Sequence, residues 1–214
     1  MGDWRRYYEA AGDDPRETLL VALDRFDAEE PRERFGVDLG CGTGRDTVEL
    51  LRRGWRVLAI DGQSEAIERL LGRRDLPTRE RLQTQVSRFE DADWPEADLV
   101  NSSFALPFCP PQAFGEVWQR IESGLRPGGR FSGQLFGVRD GWSGERDLTF
   151  HTRVEVEALL ERFAIERLDE VEEDGTTAVG GAKHWHLFHV VARKPGAQRG
   201  GGRHRSTDRP SGFA

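Results

Sequence analysis

Apolar positions along the chain follow two rhythms. Short apolar runs ending at glycine or aspartate alternate with stretches in which apolar residues recur every three or four positions. Residues 15–29 (PRETLLVALDRFDAE) bring Leu19, Leu20, Leu23 and Phe26 near one face, which predicts an amphipathic helix with Pro15 in its first turn. FGVDL (35–39) reads as a buried strand. RDTVELLRR (45–53) reads as a helix with Val48, Leu50 and Leu51 as its apolar set. WRVLAI (55–60) is a second buried strand ending at Asp61. SEAIERLL (64–71) is a helix with Ser64 as its expected N-cap. Strands follow at 82–89 and 97–103, then a helix at 111–125, a turn at RPGG (126–129) and a fifth strand at 130–137. A helix at 152–163 precedes strands at 164–174 and 184–194.

Strands alternating with helices predict a mostly parallel sheet covered on both faces. No helix separates the last two strands, and the link DGTTAVGGAK suits an antiparallel pair. The expected fold is therefore α/β: a Rossmann-like, doubly wound sheet of seven strands, mostly parallel, with the last strand antiparallel.

The 214 residues, 36% hydrophobic and 32% charged, suit one globular domain with a tail. Charge is uneven. Residues 1–194 hold 27 basic and 37 acidic side chains, a net of −10, whereas residues 195–214 hold four arginines and one aspartate, a net of +3. The acidic body argues against broad nucleic-acid binding. The Gly/Arg/Ser-rich end, without periodicity, is expected to be a disordered basic tail. Cys41 and Cys109 are too few for a disulfide framework and too far apart for a zinc cluster. The start, MGDWRRYYEA, has no apolar signal core, and Arg6 stands where a myristoylation signal needs Ser or Thr. No apolar run reaches the length of a membrane span, so a cytoplasmic protein with reduced thiols is expected. Of the 31 basic residues only Lys183 and Lys194 are lysines, a bias that a GC-rich coding sequence would produce.

The chemistry concentrates at Val37-Asp38-Leu39-Gly40-Cys41-Gly42-Thr43-Gly44, between the first strand and its helix. A nucleotide-type fold puts its ligand there. Glycine is needed where backbone turns tightly or touches a ligand. The spacing G-x-G-x-G differs from the dinucleotide fingerprint G-x-G-x-x-G, which disfavours a nicotinamide-dependent oxidoreductase. Asp38, just before the glycines, is a poor neighbour for phosphate and suits an ammonium or sulfonium. Asp61, 21 residues after Gly40, stands at the end of the second strand, where a carboxylate accepts ribose hydroxyls.

With these residues the chain resembles the class I S-adenosylmethionine-dependent methyltransferases. VDLGCGTG resembles the family's first motif and AIDG its second. ADLVNSSFAL is similar to the fourth-strand motif and LRPGGRF to the turn into the fifth strand. The likeness covers roughly residues 15–194 and is nearest in flavour to small bacterial enzymes of the tellurite-resistance and thiopurine type. It implies seven strands with the last reversed, S-adenosylmethionine as cofactor and S-adenosylhomocysteine as product. It implies that Gly40, Cys41, Gly42 and Gly44 bring backbone to the amino-acid part of the cofactor, that Asp38 faces its ammonium side, and that Asp61 holds the ribose. Gly62 and Gln63 would lie beside the adenine. Arg88 stands where the family often has an aspartate, so Phe89 is expected to stack on the base and Glu90 or Asp91 to supply the carboxylate. Asn101 and Ser102 are expected near the methionine portion.

Ligands of an open parallel sheet bind outside the carboxyl ends of its strands, and a reversed strand presents its beginning there. That argument picks out Lys183, His184, Trp185 and His186. His184 and His186 share one face and are the candidate catalytic bases. Substrate contacts are expected from Phe104 and Phe108 after the fourth strand and from Arg139 and Trp142 after the fifth. Trp4, Tyr7 and Tyr8, in an N-terminal segment (1–14), would form an aromatic lid. Cys109 reads as a packed small residue. His151, His184 and His186 have no metal-ligand spacing, so no metal is expected. The expected domain is 1–194, with the tail at 195–214. The favoured partner is a small-molecule acceptor offering N, O or S, with no membrane and no nucleic acid. Monomer and homodimer remain open. The alternatives are an enzyme acting on RNA or protein, tethered by the basic tail, and a non-catalytic cofactor-binding protein.

Overall fold

The computed structural model describes residues 4–196. Helix α1 (Trp4–Ala10) is followed by α2 (Glu17–Asp27), β1 (Phe35–Leu39), α3 (Arg45–Arg52), β2 (Arg56–Asp61), α4 (Ser64–Leu71) and β3 (Leu82–Val86). Then come β4 (Ala97–Ser102), a short 3-10 turn (Leu106–Phe108), α5 (Pro111–Gly124), β5 (Leu125–Gly137), β6 (Phe150–His151), α6 (Arg153–Leu159), β7 (Ala164–Thr176) and β8 (Ala182–Arg193). The sheet order is β3-β2-β1-β4-β5-β8-β7, with β6 pairing β5 off this path. Pairings from β3 to β6 are parallel, and β8 is antiparallel to both of its neighbours. The expected doubly wound sheet with a reversed final strand is observed. Among the described residues it has eight strands rather than seven, the extra one being the two-residue β6.

Local differences have identifiable causes. Helix α2 starts at Glu17 and leaves Pro15 outside, because the backbone N–H of Arg16 is held in extended conformation by the Asp46 carboxylate at 2.9 Å. Gln63, not Ser64, is the N-cap of α4, and its N–H donates to Asp61 Oδ1. The RPGG stretch is absorbed into β5 because Gly128 N–H and Gly129 C=O bond the backbone of Lys194, extending the β8 ladder past the turn. Helix α6 is shorter than the 152–163 pattern. It opens with a capping box between Thr152 and Glu155.

Two apolar layers sandwich the sheet. On one face Val37, Leu39, Val100, Phe131, Phe188 and Val190 pack against Phe114, Val117, Trp118 and Ile121 of α5. On the other, Leu99 and Val191 meet Leu19, Leu23 and Phe26 of α2 and Leu50 and Leu51 of α3. Arg130, only 3% exposed, clamps the second layer at the sheet's lower edge. Its guanidinium bonds Glu166 twice, at 2.7 and 2.9 Å, and Glu29 at 2.7 Å, and lies 4.3 Å over the Phe26 ring. Removing one partner of such a pair strands the other charges. Arg130→Met is expected to lower the unfolding free energy by about 3 kcal/mol in urea denaturation. An unchanged midpoint would contradict the clamp.

Candidate functional site

The site lies at the carboxyl ends of β1, β2 and β4. Gly40, Gly42 and Gly44 all have positive φ, at 78°, 53° and 85°. A Cβ on Gly40 would stand 2.2 Å from the Cβ of Ala105, so side chains are excluded there by space as well as by conformation. A Cβ on Gly42 would meet nothing within 4 Å, so the outer side of the turn is open. Asp61 closes the turn from β2. Its Oδ2 accepts the Gly42 N–H and its Oδ1 the Gln63 N–H, both at 2.9 Å. Burial pushes its pKa up against these two hydrogen bonds. Each oxygen still has a second lone pair to offer a hydroxyl.

Behind the turn is a buried polar network. Asp38 accepts from Thr47 Oγ1 at 2.6 Å and from the Asn101 amide at 3.0 Å. The same amide donates to Asp46 Oδ2 at 3.0 Å, and Ser132 Oγ donates to Asn101 Oδ1 at 2.7 Å. Burial pushes Asp38 up to about 7, and the Asp46 charge adds to the effect, against the hydrogen bonds from Thr47 and Asn101. Ser102 donates to the Leu39 carbonyl at 2.9 Å and ties β4 to β1. Cys41 is buried, and burial, then the Asp38 charge, push its thiol well above its ordinary range. Phe89 faces Gly40, with Phe89 Cζ 3.5 Å from where a Gly40 Cβ would stand. Arg88, 69% exposed, pairs with Glu90 at 2.8 Å, and Asp91 is exposed. Gly62 is exposed beside the Ser87 carbonyl.

An aromatic wall faces this turn. Trp4 contacts Tyr7, Tyr8 and Phe108, the last with ring centres 5.0 Å apart. Phe108 meets Phe136 and Trp142, and Trp142 meets Trp185 at 5.9 Å. Trp185 reaches Phe104 at 6.3 Å. Tyr8 is buried, and burial together with the nearby Asp61 charge raises its phenol pKa. Phe104 has φ 54°, a strained conformation for a bulky residue. It is held by its N–H donating to Gln134 Oε1 at 2.9 Å, and Arg16 lies 4.6 Å over its ring.

The two histidines and Arg139 do not join this wall. The register runs Asp38↔Asn101, Asn101↔Ser132, Ser132↔Val191, so those side chains share one face of the sheet. By alternation, Lys183 and Trp185 share the face of Val191, while His184 and His186 point to the other. His186 is 1% exposed. Its ring lies against Gly137, its Nδ1 accepts the Arg139 N–H at 3.1 Å, and its Nε2 meets Glu170 at 2.9 Å. His184 pairs with Asp174 and Glu172, which raise its pKa. Arg139 bridges Glu170 and Glu172. His184 and His186 therefore lie on the face of β8 opposite the aromatic wall, and Lys183 and Trp185 lie on the same face as it. His151 packs on Phe114, and burial lowers its pKa to about 4. Burial pushes the thiol of Cys109, a packed residue, up to about 12.

Asp46, Thr47 and Gln134 carry no signal in the sequence, whereas Lys183 and Asp140 fall at the strand edge expected to face a ligand, without a role of their own. Lys183 carried a signal, being one of only two lysines in an arginine-rich chain. The basic tail at 195–214 falls almost entirely outside the described residues.

Comparison with known proteins is consistent with this geometry. Residues 37–129 match the family model described as a methyltransferase domain. The chain is 33% identical over 100 residues to the carboxy-S-adenosyl-L-methionine synthase of Aliivibrio fischeri strain MJ11, covering 43% of this chain and 40% of that protein. It thus spans about 40% of the length of the curated relatives it matches first. The structure of 1,6-didemethyltoxoflavin-N1-methyltransferase from Burkholderia thailandensis, with bound 1,6-didemethyltoxoflavin and S-adenosylhomocysteine, is similar with a TM-score of 0.62. That match has 25% identity and covers 84% of this chain and 77% of the other. TehB from Haemophilus influenzae shares the fold with a TM-score of 0.67 and 16% identity, over 81% of this chain and 61% of the other. Among the described residues no helix is long and apolar enough to cross a membrane.

The Asp38 network predicts a pH signature. Folded Asp38 keeps its proton to about pH 7, whereas an unfolded aspartate loses it near pH 4. The folded chain binds the extra proton between those values, so this residue's contribution to stability falls as pH rises through that window. In Asp38→Asn the slope should vanish. By calorimetric melting the variant gains on the wild type between about pH 5 and about pH 8. A difference constant across that range would contradict the raised pKa.

Proposed function

We propose that the chain is a class I S-adenosylmethionine-dependent methyltransferase that transfers a methyl group in line to a nucleophilic N, O or S atom of a small molecule, a reading supported by the methyltransferase-domain match over residues 37–129. One observation carries this reading: the open, positive-φ glycine turn with Asp61 hydrogen-bonded across its mouth. The residues fit the cofactor. The space beyond Gly42 is open to a ligand, its positive φ keeps a side chain out, and Asp61 keeps lone pairs for ribose hydroxyls. Gly40, Cys41, Gly42 and Gly44 would bring backbone to the amino-acid end. Asp38, Asn101 and Ser102 would shape its floor, and Gly62, Gln63, Phe89 and Glu90 would line the base.

Bound S-adenosylmethionine supplies an activated methyl group on a good leaving group. What the protein must add is alignment and a dry site. Trp4, Tyr7 and Tyr8 on α1 would cover the turn, while Phe104, Phe108 and Trp142 would orient the acceptor. Rings grouped in this way suit a compact, flat acceptor. The methyltransferase relative bound to 1,6-didemethyltoxoflavin supports that class of acceptor.

Isothermal calorimetry tests the reading. S-adenosylhomocysteine is expected to bind, and NAD is not. NAD binding without S-adenosylhomocysteine binding would overturn it. Asp61→Ala is expected to weaken S-adenosylhomocysteine binding by more than ~1 kcal/mol, through loss of charge-assisted hydrogen bonds. Unchanged affinity would remove Asp61 from the ribose site.

A further inference from the structure

One end of the aromatic wall is built around a charge. The Lys183 side chain is 1% exposed. Its ammonium lies 3.9 Å from the ring centre of Trp185, 4.0 Å from that of Trp142 and 5.0 Å from that of Phe136. It donates to the buried carboxylate of Asp140. Asp140 has backbone partners of its own, accepting from the Trp142 N–H at 3.0 Å and the His186 N–H at 3.2 Å. The carboxylate is therefore positioned whether or not the lysine is present.

Ring faces gathered around a cation, with one fixed carboxylate, are how proteins bind alkylammonium groups. Here the chain fills that position itself. Desolvation lowers the Lys183 pKa against the attraction of Asp140. The box adjoins the space assigned above to the acceptor: Trp185 touches Phe104, and Trp142 and Phe136 touch Phe108.

We infer that Trp142, Trp185, Phe136 and Asp140 form a cation-binding site occupied by Lys183, and that this lysine determines acceptor specificity by excluding small ammonium compounds. The inference rests on the methyl-transfer reading for the identity of the chamber, but the site itself does not. With its cation position taken, the chamber is left to uncharged or anionic acceptors. A cationic acceptor would lose its ring and carboxylate contacts and would meet a like charge in a dry environment.

The test is to empty the site. Lys183→Ala removes the ammonium and its stem and leaves Asp140 in place. n-Butylammonium should bind this variant saturably, read by tryptophan fluorescence, and should raise its melting temperature. Half-saturation should fall at least about tenfold below any response of the wild type. n-Butanol at equal concentration and ionic strength should have no comparable effect. Lys183→Met, which fills the space without charge, should not respond to n-butylammonium.

If Lys183→Ala does not fold alone, refolding with n-butylammonium but not with n-butanol is the expected result. Equal responses to the amine and the alcohol, or equal responses of variant and wild type, would overturn the inference. Failure of both additives to rescue folding would also overturn it. S-adenosylhomocysteine calorimetry on the wild type separates the two claims. Cation binding to the variant without S-adenosylhomocysteine binding to the wild type supports the site and overturns the identity of the chamber. The reverse pattern overturns the site alone.

Discussion

A single side-chain amide holds the working end of this sheet together. Asn101 donates one Nδ2 to two buried carboxylates, Asp38 from β1 and Asp46 from α3, and accepts from Ser132 on β5. Asp46 in turn takes the backbone N–H that starts α2. Three strands and two helix beginnings therefore converge on a few atoms. Two carboxylates in so little space repel, and burial penalises both charges. The structure tolerates them because Thr47 and Asn101 supply donors and because Asp38 can keep its proton.

How much of this could be read from the chain depended on distance in sequence. The glycine turn and Asp61 were legible because their chemistry is local: positive φ requires glycine, and a strand end fixes where the next carboxylate stands. The reversed last strand was legible from a short link with no helix. Side-chain parity on β8 was not. It depends on a register carried through β4 and β5, and a shift of one residue exchanges the histidines for Lys183 and Trp185. Arg88 was legible as a departure from the expected aspartate, but its exposure and its pairing with Glu90 were not. The eight-strand count was missed because β6 is two residues long and has no periodicity.

The two lysines have a common logic. In a chain that otherwise uses arginine for every basic position, each sits where a compact ammonium fits and a planar fork would not. Lys194 donates to the carbonyls of Glu122 and Leu125 at the end of α5, at 2.8 and 2.6 Å. Lys183 fits between two indole faces. The acidic surface is also informative. Exposed carboxylates gather on β7, where Glu170 engages Arg139 and His186 and Glu172 engages Arg139 and His184, on the sheet face opposite the aromatic wall.

We propose that the glycine turn, Asp61 and the aromatic wall enclose a methyl donor and its acceptor together. A crystal structure with bound S-adenosylhomocysteine tests it most directly. Ribose hydroxyls are expected on Asp61, the amino-acid end against Gly40 and Gly42, and the sulfur facing Phe104, Phe108, Trp142 and Trp185. S-adenosylhomocysteine bound away from the glycine turn, or with its sulfur facing away from those rings, would contradict it.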